Sequence, residues 1–161
     1  MSLNQISVRY EIDELCKRNN ITKEFLSEVN KYQWESILYN IEERFLTKAH
    51  YSHNLHWGWN RFREPNYASA LKPYKCFTEI IEDEYIWFLA EDVYDKIWIY
   101  EGNSKFIFEQ VIPELCQLRE YYLVSKKYHW IVCEDHHRIL HFQGNDVVER
   151  MIRFEKKYKT K

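Results

Sequence analysis

Residues 85–90, YIWFLA, are apolar without a break and have acids on both sides. A half-buried strand alternates apolar and polar residues, whereas a continuous run suits a strand covered on both faces. The chain must therefore supply cover for two sides of whatever sheet this strand joins. Residues 91–95 read as a turn and KIWIY, 96–100, as the returning strand of a hairpin. Three more strands are expected at about 120–125, 128–133 and 138–143.

The first part of the chain has helical spacing. Val8, Ile12, Leu15 and Cys16 form one stripe, and Asn19-Asn20 stops it. Thr22 is placed to cap a second helix, with Ile21 and Leu26 at the two positions of a hydrophobic staple. Trp34, Ile37, Leu38, Ile41 and Phe45 continue the period, so residues 22–47 form either one helix or two that part near Asn30. A helix capped by Ser104 carries Ile107, Val111 and Leu115 and is broken by Pro113, which cannot donate its backbone hydrogen bond. Gly144-Asn145 opens a last helix with Val148, Met151 and Ile152. Residues 48–74 have no clean period and contain Gly58, Pro65 and Pro73; a short strand or helical turn is expected within them near 57–62.

The fold class is therefore α+β: N-terminal helices, then an antiparallel sheet of about five strands in ββαβββα order packed against helices. One domain is expected, with a helical part at 1–47, an irregular loop at 48–74 and a sheet part at 75–161. At 161 residues the chain is long enough to bury roughly 70% of its unfolded surface.

Gly58, Gly102 and Gly144 are the only glycines, so neither a dinucleotide fingerprint nor a P-loop can be drawn. The opening MSLNQISVRYEIDEL lacks the apolar core of a secretion signal, and no apolar run approaches the roughly 20 residues that span a bilayer. Cys16, Cys76, Cys116 and Cys133 form no C-x-x-C pair. They read as reduced, mostly buried thiols of a cytoplasmic protein.

The net charge of −2 hides an asymmetry: residues 150–161 carry +5 and the rest −7. The basic tail suits the end of a solvated terminal helix. Glu79, Glu82, Asp83, Glu84, Glu91, Asp92 and Asp95 follow one another with no base between them. Such acids guard an aggregation-prone strand, or form a surface that recognises a basic protein. Their sign is wrong for nucleic acid.

WIVCEDHHRILHF, 130–142, brings Cys133, His136, His137 and His141 together as possible zinc ligands. With a four-residue turn at 134–137, Cys133 faces Arg138 and Trp130 faces His141, so Cys133 and His141 point to opposite faces. Ile131, Cys133, Leu140 and Phe142 then share one face; Trp130, Val132, Ile139 and His141 share the other. A three- or five-residue turn would put Cys133 and His141 on one face, but two to four residues, roughly 7–13 Å, apart. Acids beside Cys133 also argue against a thiolate nucleophile. The simplest reading is an exposed turn; a turn that contacts a partner is the next.

HYSHNLHWGWNRFR, 50–63, places His50, His53 and His56 three apart and lacks H-E-x-x-H. Trp57, Trp59, Arg61 and Arg63 alternate as in a strand, an arrangement that covers a sheet edge, contacts a partner or stacks on single-stranded nucleic acid.

EYYLVSKKYHWIVCEDHH, 120–137, followed by Gly144, resembles the C-terminal signature of a family of small uncharacterised bacterial proteins; FLAEDVYDKIWIYEG, 88–102, is similar to its central hairpin. The likeness covers about the last 80 residues and implies no catalytic residue. By analogy of class, small acidic aromatic-rich α+β proteins are often immunity partners of bacterial toxins.

These readings converge on a non-catalytic interaction module, of immunity or antitoxin type, that meets a basic protein. Its contact residues are expected among Glu82, Asp83, Glu84, Glu91, Asp92, Asp95, Trp57, Trp59, Arg61, His136 and His137. No cofactor, metal, nucleic acid or membrane is expected. The alternative is a small metal-binding protein or enzyme using His136, His137 and the loop holding His50, His53 and His56.

Overall fold

The computed structural model of the protein describes residues 7–47, 55 and 57–159. Among them, seven strands form one antiparallel sheet. The strands are β1 (Leu26–Glu28), β2 (Asn66–Ser69), β3 (Tyr85–Asp92), β4 (Ile97–Asn103), β5 (Leu118–Ser125), β6 (Ile131–Glu134) and β7 (Leu140–Gln143). Their spatial order is β1-β4-β3-β5-β6-β7-β2. The helices are α1 (Val8–Arg18), α2 (Lys31–Phe45), α3 (Pro73–Ile80), α4 (Ser104–Phe106) and α5 (Asn145–Lys159). α4 runs on as a π-turn over Ile107–Val111 and a 3-10 turn over Ile112–Glu114.

β3 is buried along seven of its eight residues, and the sheet carries an apolar cluster on each face. On the first face, Ile86, Phe88 and Ala90 meet side chains of α1, α3, α5 and the 104–111 segment. On the second, Trp87 and Leu89 meet α2 together with Leu55 and Phe62. Ile37, Leu38, Ile41 and Phe45 supply the stripe of α2. At roughly 1.5–3 kcal/mol for each buried side chain, that stripe outweighs any deficit in helix propensity.

The sheet has two strands more than the five read from sequence, and both extra ones lie at its edges. The first replaces the expected start of a helix at residue 22. No helix starts at Thr22; its carbonyl instead accepts from the amides of Phe25 (3.1 Å) and Leu26 (3.3 Å), closing a turn. Leu26 and Val29 then enter the first and second cores respectively. A helix would put those two residues on one side, whereas extended chain sends them to opposite sides. The break near residue 30 is real: the Asn30 side chain accepts from the Tyr32 amide at 3.0 Å and caps α2.

The second extra strand, β2, falls in the expected loop. Before it, Gly58–Arg61 is a 3-10 turn, not the extended stretch that the Trp/Arg alternation suggested. α3 was not expected from sequence, although Pro73 stands at its start and Cys76, Phe77 and Ile80 make its buried stripe. Asn103, not Ser104, caps the helix at 104, accepting from the Phe106 amide at 2.9 Å. The Ser104 hydroxyl instead donates to the Asp83 carbonyl at 2.6 Å.

The β6–β7 hairpin closes through five residues, 135–139, so Cys133 pairs directly with His141 and Glu134 with Leu140. Cys133 and His141 therefore share a face, contrary to the four-residue reading and to the separation assigned to a five-residue turn. Ile131 and Cys133 lie in the second core, whereas Val132, Leu140 and Phe142 lie in the first.

Candidate functional site

The β3–β4 and β6–β7 turns and the start of β5 lie at one end of the sheet, since β3, β5, β6 and β7 run alternately up and down. The two turns are built alike. Asp92 accepts on Oδ1 from the amides of Tyr94 (2.8 Å) and Lys96 (3.2 Å), and on Oδ2 from the Trp98 indole N–H (3.2 Å). Asp135 accepts on Oδ1 from the amides of His137 (2.8 Å) and Ile139 (3.0 Å), and on Oδ2 from His141 Nε2 (2.8 Å). The fourth residue of each turn, Asp95 or Arg138, is left-handed, with φ of 61° and 65°. DVYDKIW and DHHRILH thus share one device: an aspartate that caps amides two and four residues on and takes a ring N–H six residues on.

Burial alone would raise the Asp135 carboxyl, but the bonds from His141, Ile139 and His137 outweigh it and hold it below the usual carboxylate range. This cap also sets the register, because the aspartate must stand first in the turn. Asp92 is fully buried by the same arrangement and Glu91 is 1% exposed, so neither can belong to the acidic docking surface expected from sequence.

A third carboxyl ties the turns to the layer above. Glu120, at the start of β5, is fully buried. Its Oε2 accepts from Trp59 Nε1 (3.2 Å), the His136 amide (3.0 Å) and His136 Nδ1 (2.6 Å). Oε1 has no hydrogen-bond partner among the described residues. Trp59 in turn stacks on His141, with ring centroids 4.6 Å apart. Glu120 is not among the contact residues expected from sequence; its signal there is an acid that the strand pattern carries into a sheet covered on both sides.

Glu91 sits directly opposite Glu120 in the β3–β5 register. Burial, then the Glu120 charge, pushes the Glu91 carboxyl up to about 7, against a smaller opposing pull from Arg119. Cys133 is fully buried, and burial followed by the Glu120 charge raises its thiol well above the ordinary value. That is the reverse of what a nucleophilic cysteine needs.

The other expected contact residues scatter. Glu82 and Glu84 are exposed at the opposite end of β3, and half-buried Asp83 accepts the Trp130 indole N–H at 3.0 Å. Asp95 is exposed at the turn end and pairs with Arg119 at 2.9 Å. Trp57 is 47% exposed, Trp59 faces Glu120 and His141, and Arg61 is half-buried. His136 is held by Glu120, while His137 is exposed beside it, ring centroids 4.0 Å apart. His50, His53 and His56 lie outside the described residues. Among the described residues no group of three or more His, Cys, Asp or Glu side chains could hold a metal ion. No helix of the described residues is long and apolar enough to cross a membrane.

Removing either cap should leave two turn amides and a ring N–H without their acceptor. Asp92→Ala and Asp135→Ala are each expected to lower the unfolding free energy by about 1–3 kcal/mol. Asp95→Asn, which removes the charge from the exposed pair with Arg119 and keeps a residue that tolerates the left-handed backbone, should lower it by less than about 1 kcal/mol. Urea unfolding of the three variants measures the difference.

Glu91 gives a pH signature of definite sign. Its folded value of about 7 lies above the ordinary 4.5, so the folded chain keeps a proton that the unfolded chain has released. The stabilisation is complete below the unfolded value and is lost as pH rises through the folded one. Unfolding free energy should fall by roughly 1–3 kcal/mol across this window, and Glu91→Gln should flatten the fall. Parallel profiles for the two proteins would contradict the assignment.

No curated protein and no solved structure matches the chain. A family of unknown function, DUF6756, matches residues 4–155. The match thus extends well beyond the C-terminal segments that carry the sequence resemblance. The chain belongs to the DUF6756 family of unknown function.

Proposed function

We propose that the protein is a non-catalytic interaction module that docks a protein partner on the turn-bearing end of its sheet. One observation carries this reading: Asp92, Asp135 and Glu120 are engaged in holding the turns there, and apolar side chains project beyond them. Asp92, Asp135 and Glu120 each bind several N–H donors. Past them, Val93 and Tyr94 are about half exposed, and His137 lies open at the neighbouring turn. A carboxylate fixed by several N–H bonds is a poor proton carrier but a rigid support for a contact surface. Rigid aromatic anchors with a polar rim, here the Arg119–Asp95 pair, are what protein interfaces use.

The partner fits the description of a basic protein, and an immunity or antitoxin-type factor is the form this role takes. The −7 borne by residues 1–149 favours the encounter. Glu82 and Glu84 contribute at a distance, because the eight residues of β3 put about 26 Å between them and the turns. Four cysteines without a disulfide suit the reducing conditions of a cytoplasm.

The test is capture of a binding protein from a lysate of the source cells, followed by purified-component titration. Tyr94→Ser with His137→Ala should weaken binding at least about tenfold, the scale of lost interface anchors. Glu79→Lys, at the far end, should change it much less. Failure to recover a binding protein, or equal loss in both variants, would overturn the assignment. So would stoichiometric zinc in untagged protein by elemental analysis.

A further inference from the structure

α1 packs beside β1 and β4 at one edge of the sheet and leaves a groove of about 530 Å³. That volume falls within the roughly 300–1,000 Å³ of small-molecule sites. Ile12, Ile21 and Leu26 give it an apolar wall, and Asp13, Glu28 and Tyr100 line it with polar groups. Tyr100 is 2% exposed, and its hydroxyl has no hydrogen-bond partner among the described residues. A buried phenol without a partner is costly, and a ligand whose donor meets it recovers that loss.

We propose that this groove binds a small monoamine, its apolar body against Ile12, Ile21 and Leu26 and its ammonium head between Tyr100 and Asp13. The sign of the charge follows from the neighbours. Glu28 stands directly opposite Tyr100 in the β1–β4 register. Arg9 engages both Glu28 oxygens at 3.2 Å, and its guanidinium lies 5.4 Å from the centre of the Trp98 ring. Asp13 is exposed on α1. Burial raises the Tyr100 phenol first, then the Glu28 and Asp13 charges, and Arg9 opposes them by less. With Glu28 directly opposite Tyr100 on β1 and Asp13 lining the groove from α1, carboxylates stand on both sides of it, which favours an ammonium N–H and disfavours a carboxylate. Lys23 also lines the groove, but it is exposed and its long side chain can keep its charge in water. Cys16, half-buried in the same wall, reports occupancy.

Calorimetric titration of the full chain with 2-phenylethylamine tests the proposal, with 2-phenylethanol and 3-phenylpropionate as neutral and anionic controls. The amine should bind saturably, more tightly than the alcohol, and the acid should not bind. Tyr100→Phe should weaken the amine by about tenfold, the equivalent of one charge-assisted hydrogen bond. Asp13→Asn, at an exposed position that leaves folding intact, should weaken it by about threefold or more. Site-resolved alkylation should show the amine slowing reaction at Cys16 but not at exposed Cys116. No saturable amine binding, equal binding of the acid, or affinity unchanged in Asp13→Asn would overturn the assignment.

Discussion

Covering β3 and β5 on both faces removes water from the backbone and from every side chain those strands carry. Apolar residues profit from this, and Phe88, Leu89, Leu123 and Val124 have no exposed surface at all. Polar groups on the same strands must find partners within the protein, because an unsatisfied buried group costs as much as several good contacts supply. Asp92 and Glu120 meet this demand at the end of the sheet by drawing turn amides and ring N–H groups onto themselves. Asp135 does the same for the neighbouring hairpin. Glu91, facing Glu120 across the strand pair, meets it by holding its proton to about pH 7.

That demand decides what the stretch around residue 135 is for. Cysteine, histidines and acids side by side resemble chemistry, yet all but the exposed His137 are committed elsewhere. The thiol is sealed in the second core, Asp135 caps the turn, and Glu120 grips His136. What this leaves to the surrounding solution is shape: two stiff turns with aromatic and apolar tips. The groove under α1 differs in kind, since its phenol is buried without a partner and its charges sit around open space.

The two-sided burial of residues 85–90 was legible in the sequence, as were the apolar stripes of α1 and α2 and the strands β3 to β7 to within a few residues. Register was not. Placing the turn at 134–137 instead of 135–139 shifts the pairing by an odd number of residues and exchanges the faces of the returning strand. The aspartate caps that fix it were present in DVYDKIW and DHHRILH, as a shared spacing between an acid and a ring N–H. Apolar periodicity does not detect such a signal. The edge strands β1 and β2 escaped because three or four residues are too few to display a period. Leu26 and Val29 even mimic helical spacing while serving opposite cores. Glu120 was invisible as a site residue because its role comes from three donors, two on the 136 turn and one on Trp59, that only folding brings together.

Amide hydrogen exchange followed by NMR tests the central claim that buried carboxylates hold these turns. Tyr94, Lys96, His136, His137 and Ile139 donate to Asp92, Glu120 or Asp135. At loop tips such amides ordinarily exchange almost freely, whereas here they should exchange at least about tenfold more slowly than the unprotected rate. In Glu120→Gln, protection at His136 should fall while Tyr94 and Lys96 keep theirs. Exchange at unprotected rates for these five amides in the native protein would contradict the account.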